Sequence, residues 1–318
     1  MRGSQSGAFP VFQELSNSGS PPAKPGDYSG EFIDTLNMYN LSSETIFMRD
    51  GAQFEKSVDL TFAKINDMLD ISGAIFSSLD LTGTEVIGGF NLGSEKHPPA
   101  RWRPGAKLTL NNTKVGILQD LDNSWPNELY VEGFSYSQLG GLYNATGISM
   151  AKRNVKWLKS WLEKHNNYSP QIYEQLGKTL KTAGYKAKAK AKEILYTGKE
   201  RQREEARIKK EWTNWLKLTI LNLFIGYGYK IQYLLAWVLL LTSAGALILQ
   251  FSSQGLDYNM PFGISYSFGA LLPFIKLEEW YSTIILTGFP KYYFYFQKVM
   301  GYVIVSMLIA GVTGITKK

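Results

Sequence analysis

Histidine and cysteine set the first limit on what this chain can do chemically. There are two histidines, His97 and His165, and no cysteine. No disulfide, thiolate ligand or cysteine nucleophile is available. His97 lies in a Lys-His-Pro-Pro turn, far in sequence from His165. That pair does not make a zinc set, and neither a metal nor a cofactor is expected. The carboxylates Asp59, Asp67, Asp70 and Asp80 read as solvated faces rather than an acid–base pair, so the chain is not expected to be an enzyme. No dinucleotide glycine fingerprint and no haem or flavin ligand set is present.

The residues whose types and spacing suggest another kind of chemistry lie in the last third. Trp212, Trp215, Lys217 and Lys230 combine amphipathic rings with long cations, the residue types that anchor a helix at a membrane surface. Between two long apolar stretches lies Phe262–Ile275, apolar over 14 residues and broken by Pro273 before Lys276. A segment of that length is too short to cross a bilayer and reads as re-entrant. Leu271, Leu272, Pro273, Phe274 and Lys276 are therefore the candidate lining of a pore, with Ser306 and Ala310 of the following helix. Ser306, Ala310 and Gly314 recur every four residues, a small face that another helix can approach closely.

The elements that must position these residues begin after a lead-in. Residues 1–30 lack the apolar core of a secretory signal and are rich in Ser, Gly and Pro, so they are expected to be disordered. Residues 31–145 carry a five-residue beat. Leu36, Leu41 and Ile46 are five apart; so are Leu60 and Ile65; so are Ile71, Phe76, Leu81 and Val86. Leu110 and Val115 continue it, then Leu129, Phe134 and Leu139. Small or apolar residues stand two places earlier, as Ala63 does before Ile65 and Ala74 before Phe76. A period of five is neither helix nor strand. It predicts a β-solenoid closing every twenty residues, with one side per pentad.

Residues 150–211 read as helices. Pro170 opens one at its first position behind Ser169, and Gly184 separates it from a long basic helix. The pair is tetratricopeptide-like. The mean hydropathy is −0.16 and the net charge +7. Much of the charge sits in residues 185–211, with ten Lys and Arg against five Glu. The run reads either as a solvated helix held by pairs such as Glu205–Lys209 or as a surface for anionic lipid. It lacks the interleaved aromatics expected of a nucleic-acid interface, and no nucleic-acid partner is expected. Residues 212–228 predict an interfacial amphipathic helix ending at Gly226-Tyr227-Gly228. Residues 231–251 and 297–315 predict two membrane spans within a domain covering 229–318. Lysines flank the outer ends of both spans, which places both termini in the cytoplasm.

From about residue 125 onward the chain resembles a bacterial family of membrane proteins with N-terminal pentapeptide-like repeats. The stretches that carry the resemblance are LYVEGFSYSQL (129–139), YSPQIYEQLGKTLKTAG (168–184), GYGYK (226–230) and AGVTGITKK (310–318). It implies a right-handed quadrilateral β-helix, an α-helical hairpin and a two-span domain in the bacterial inner membrane. Members are sometimes labelled membrane-associated oxidoreductases. The last 80 residues also look like the pore module of two-helix potassium-type channels, with 212–225 as slide helix and 262–275 as pore helix. In those channels a GYG filter follows the pore helix; here Gly226-Tyr227-Gly228 precedes the first span and reads as an elbow, which argues against potassium selectivity. The expectation is a homo-oligomeric channel or pore, tetrameric by analogy, with lipid as one partner and a protein or ligand on the solenoid as another. A membrane-anchored scaffold without conductance is the alternative, and a membrane oxidoreductase a third reading.

Overall fold

The computed structural model describes residues 30–142, 150–165, 168–252, 260–272 and 285–313. The 1–30 lead-in, Gly30 apart, therefore lies outside the described residues. The rest forms two compact units: residues to Leu129 with Gly141 and Leu142, and Tyr130–Gly140 with the residues from Met150 on. Among the described residues the architecture is mixed, an N-terminal parallel β-solenoid of about five turns followed by seven helices.

The first unit contains β1 (Glu31–Phe32), β2 (Leu36–Asn37), β3 (Ser42–Phe47), β4 (Gln53–Asp59), β5 (Lys64–Asp70), β6 (Ile75–Asp80), β7 (Glu85–Asn91), β8 (Arg101–Thr109) and β9 (Lys114–Gln119). β10 (Glu128–Tyr130) and β11 (Ser135–Leu139) follow in sequence. Parallel pairing runs β1–β4–β6–β8 on one sheet and β3–β5–β7–β9 on the other. Coils are longer than the twenty residues expected. Ser42 pairs with Lys64, a step of 22, and Lys64 with Glu85, a step of 21. Register shifts within the strands absorb the additional residues, as between Ser43 and Thr45. The next coil is longer still, Glu85 to Lys114, a step of 29.

The pentad residues build the interior. Ile46, Leu60, Ile65, Ile71, Phe76, Leu81, Val86, Leu110 and Val115 are all buried, whereas Leu41 of the first coil is partly exposed. From the second coil on, the residues two places earlier, such as Val58, Ala63, Ala74, Leu79, Thr84 and Thr113, are equally enclosed. Ala63 is an apolar filler, while the hydroxyls of Thr84 and Thr113 donate to the carbonyls of Leu60 (2.5 Å) and Leu81 (2.6 Å) one coil below. A column of rings runs through one side: Phe32–Phe54 at 4.9 Å, Phe54–Phe76 at 4.8 Å and Phe76–Trp102 at 5.5 Å between centroids. Such stacks add about 0.5–1.5 kcal/mol each beyond the area they bury.

One expectation is corrected here. Asp70 is not solvated but fully buried, accepting from the Ser72 amide (3.0 Å), the Ser72 hydroxyl (2.7 Å) and Asn91 Nδ2 (3.0 Å). Asp59 and Asp80 make the same turn with the amides of Thr61 and Thr82, both at 2.8 Å. These carboxylates close corners of the coil.

In the second unit the helices are α1 (Val155–Glu163), α2 (Pro170–Thr182), α3 (Tyr185–Ile208), α4 (Trp212–Ile225), α5 (Gln232–Gln250), α6 (Met260–Leu271) and α7 (Gly288–Thr313). Pro170 stands at the start of α2, although Ser169 makes no side-chain cap. Gln171 and Gln175 of α2 donate to the carbonyls of Phe134 (2.9 Å) and Tyr136 (2.6 Å). α2 and α3 pack closely because Gly177 lies against Leu195 and Gly198 against Tyr173. Ion pairs Glu200–Arg203, Arg201–Glu204 and Glu205–Lys209 run along α3. α5 and α7 are long and apolar enough to cross a membrane. α7 begins nine residues before the expected position 297, because Gly288–Phe296 is already helical.

Candidate functional site: the α5–α6–α7 module and its elbow

The helix α6 is twelve residues long and fits between two longer helices because of particular small and polar residues. Gly245 of α5 lies against Ser267 of α6 and Gln297 of α7. Gly301 of α7 lies against the Leu271 carbonyl of α6. A Cβ at either glycine has no room, so both contacts bring backbone to backbone or backbone to polar side chain.

Gln297 is fully buried at the meeting point. Its Nε2 donates to Ser267 Oγ (2.8 Å), the Ser267 carbonyl (3.0 Å) and the Leu241 carbonyl (3.3 Å). Tyr293 Oη donates to the same Leu241 carbonyl at 2.8 Å. Polar groups of four residues from three helices thus converge half-way along α5. Gln297 Oε1 and Thr242 Oγ1 are buried there with no hydrogen-bond partner. Incompletely paired polar atoms in an apolar bundle cost stability. Around the node the core is apolar, made by Phe224 and Ile225 of α4, Leu234 and Leu241 of α5, Leu271 and Ile304. The C-terminal end of α7 returns to the start of α5, where Gly311 faces Ile231. The two long helices are therefore antiparallel.

At that end the chain turns sharply from α4 into α5 through a 3-10 turn, Gly226–Gly228. Gly226 and Tyr227 both adopt the left-handed region, with φ of 50° and 57°. This is the elbow expected of the GYG segment. Tyr227 is buried, and its hydroxyl donates to Glu200 Oε1 of α3 at 2.6 Å. Burial first, and then the Glu200 carboxylate, push this phenol well above its ordinary value of 10. The Tyr196 ring packs on Tyr227 at 5.5 Å, and Tyr196 Oη donates to Asn222 Oδ1 at 3.1 Å.

The residues singled out from sequence distribute as follows. Leu271 is enclosed by the module, and Leu272 is half-buried. Ser306 is exposed and Ala310 half-buried on α7. Pro273, Phe274 and Lys276 lie outside the described residues. Trp212 is exposed, 5.9 Å from a half-buried Trp215, with Lys217 exposed on the same helix. The outward face of α4 is apolar, with Leu216, Ile220 and Leu223 exposed beside Trp212. Lys230 is turned inward instead, its Nζ 4.0 Å from the centroid of the Tyr196 ring, a cation–π contact. Sequence reasoning missed Gln297, Ser267, Glu200 and Tyr196. Gln297 as a polar residue in the expected second span was the one available signal.

Elsewhere in this unit, a cleft of about 950 Å³ is lined by Gln138, Lys152, Thr179, Thr182, Lys186 and Lys190, among others. Lys190 Nζ donates to the carbonyls of Ala151 (3.2 Å), Lys152 (2.9 Å) and Arg153 (2.6 Å), so its three protons are committed to backbone. Burial lowers its pKa. Among the described residues no three His, Asp or Glu side chains gather into a metal set. Comparison with known protein families, curated proteins and solved structures gives no match.

Proposed function

We propose that this chain is one subunit of a homo-oligomeric membrane channel or pore, with its solenoid and helical hairpin on the cytoplasmic side as a sensing or docking region. The observation that carries the reading is α6, a helix too short to span, held between two span-length antiparallel helices by the Gln297–Ser267–Leu241 node. Span, half-helix and span is the plan of a two-helix pore domain. One copy has too few helices to enclose a path, so several must surround an axis. Ser306 and Ala310 on α7, with Leu272 just past α6, are the proposed lining. The exposed apolar face of α4, with Trp212 and Lys217, supports contact with lipid at the cytoplasmic surface. The interior ladder of the solenoid is in keeping with a pentapeptide-repeat protein of the bacterial inner membrane.

The test is reconstitution of the purified protein into planar bilayers, alongside its mass in detergent. Stepwise currents from an oligomer, altered by Ser306→Trp, are expected. An oligomer that conducts under no applied potential, pH or lipid composition overturns the reading. A second reading, a membrane-anchored scaffold, draws on one observation: Leu271 is wholly enclosed within its own chain. A stable monomer without current would favour it.

A further inference from the structure

Tyr227 is held in a conformation that bulky residues rarely adopt. At φ 57° its Cβ crowds the backbone, at a cost of roughly 1–2 kcal/mol relative to the right-handed region. Such a residue persists only where its surroundings over-determine it. Here the surroundings are three side chains of α3. Glu200 accepts from the Tyr227 hydroxyl, Arg203 holds Glu200 at 2.8 Å, and the Tyr196 ring covers the Tyr227 ring. Lys230, just beyond the turn, lies over the other side of this group against Tyr196.

The same α3 is fixed to α2 by glycine contacts at 177 and 198, and to the residues just before α2 by Tyr168 Oη, which donates to the Gly198 carbonyl at 2.9 Å. α2 in turn is pinned through Gln171 and Gln175 to the carbonyls of Phe134 and Tyr136. An unbroken series of packed and hydrogen-bonded groups therefore leads from residues 134–136 to the first turn of α5.

We infer that the α2–α3 hairpin is a lever that keeps the elbow at Tyr227 strained, so that displacement of residues 134–136 releases Tyr227 and re-aims α5. When Glu200 and Tyr196 move away, residue 227 relaxes out of the left-handed region and the α4–α5 angle changes. A strained residue with two discrete backbone states is the bistable element that such coupling requires. The consequence for opening and closing rests on the proposed pore; the coupling itself does not.

The experiment is a double-mutant cycle on the full chain in lipid nanodiscs. The variants are Tyr227→Phe, which removes one hydroxyl, Gln175→Ala, which removes the 2.6 Å donation to the Tyr136 carbonyl and leaves only the longer one from Thr179, and the pair. Hydrogen exchange is read at the amides of Tyr229 and Lys230, which are bonded to the carbonyls of Gly226 and Ile225. Tyr227→Phe is expected to speed exchange there by about tenfold, the loss of one charge-assisted hydrogen bond. Gln175→Ala is expected to speed the same amides in the native background and leave them unchanged once Tyr227 is Phe. Independent effects of the two substitutions would overturn the lever, whatever the currents show. Coupled exchange in a protein that carries no current would leave the lever standing and remove the pore. If Tyr227→Phe does not fold, Glu200→Gln replaces it in the same cycle.

Discussion

Gly301 of α7 rests directly on the carbonyl of Leu271 in α6, with no space for a side chain between them. This contact fixes how deeply the short helix sits. Alanine at 301 must push α6 away from α7, and overpacking of this kind costs about 1–3 kcal/mol. Gly311 offers a control on the same helix. A Cβ there would meet Ile231 at 3.8 Å, an ordinary contact. Thermal unfolding in detergent should show a clear loss for Gly301→Ala and little change for Gly311→Ala. Equal losses would mean that α6 does not sit against α7 in this way.

The polar node should contribute less to stability than its hydrogen bonds suggest. Side-chain bonds between membrane helices average about 0.6 kcal/mol, because the separated helices find other partners. Gln297→Leu removes the two N–H groups that Leu241 and Ser267 share and with them two buried polar atoms, one of them unpaired. We expect a destabilisation of about 1 kcal/mol or less in denaturant titration, with a larger effect on conductance. A loss above about 3 kcal/mol would identify Gln297 as a structural keystone instead.

The solenoid should respond to its aromatic column far more than to its surface. Phe76 is fully enclosed between Phe54 and Trp102, and its truncation to Ala should cost about 3–5 kcal/mol. Ile87 points outward, 64% exposed, and Ile87→Ala should stay within about 0.5 kcal/mol of the native chain. Protease resistance of residues 30–142 in the two variants distinguishes them.

Alkaline pH should loosen the elbow. In the unfolded chain Tyr227 ionises from about pH 10; in the folded chain burial and Glu200 keep it protonated to higher pH. The unfolded state thus loses a proton that the folded state retains, and stability falls as pH rises. The contribution is complete below pH 10 and declines above it. Tyr168 and Tyr173 are shifted upward too, chiefly by burial, so the native chain declines overall. Tyr227→Phe should show a shallower decline above pH 10, followed by circular dichroism against pH.

The pentad beat reads directly from sequence because one buried residue per side is a local demand. Ile71, Phe76, Leu81 and Val86 meet it without knowledge of any partner. The coil length does not read out, since the register shifts that lengthen it depend on the neighbouring strand. Asp70 was legible in principle. Asp59-Leu60-Thr61, Asp70-Ile71-Ser72 and Asp80-Leu81-Thr82 repeat a corner signature, an acid two places before a hydroxyl. The two long apolar helices α5 and α7 follow from apolar length alone. The Glu200–Tyr227 bond joins residues 27 apart across a turn, and no periodicity announces it. Gln297 is visible as an oddity in an apolar helix, but its partners Ser267 and Leu241 become evident only once three helices meet.

The long coil between β7 and β9 has a practical use. Part of its additional length leaves the ladder after Asn91 and rejoins it at Arg101, and within that excursion the backbones of Ser94 and His97 bond each other in both directions, at 2.9 and 3.2 Å. Glu95 and Lys96 form an exposed tip on this clasp. A reporter spliced between them would begin and end at nearly the same point and leave the stacked strands undisturbed. The solenoid therefore carries its own handle for attaching a fluorophore or an affinity tag, on the part of the chain proposed to face the cytoplasm.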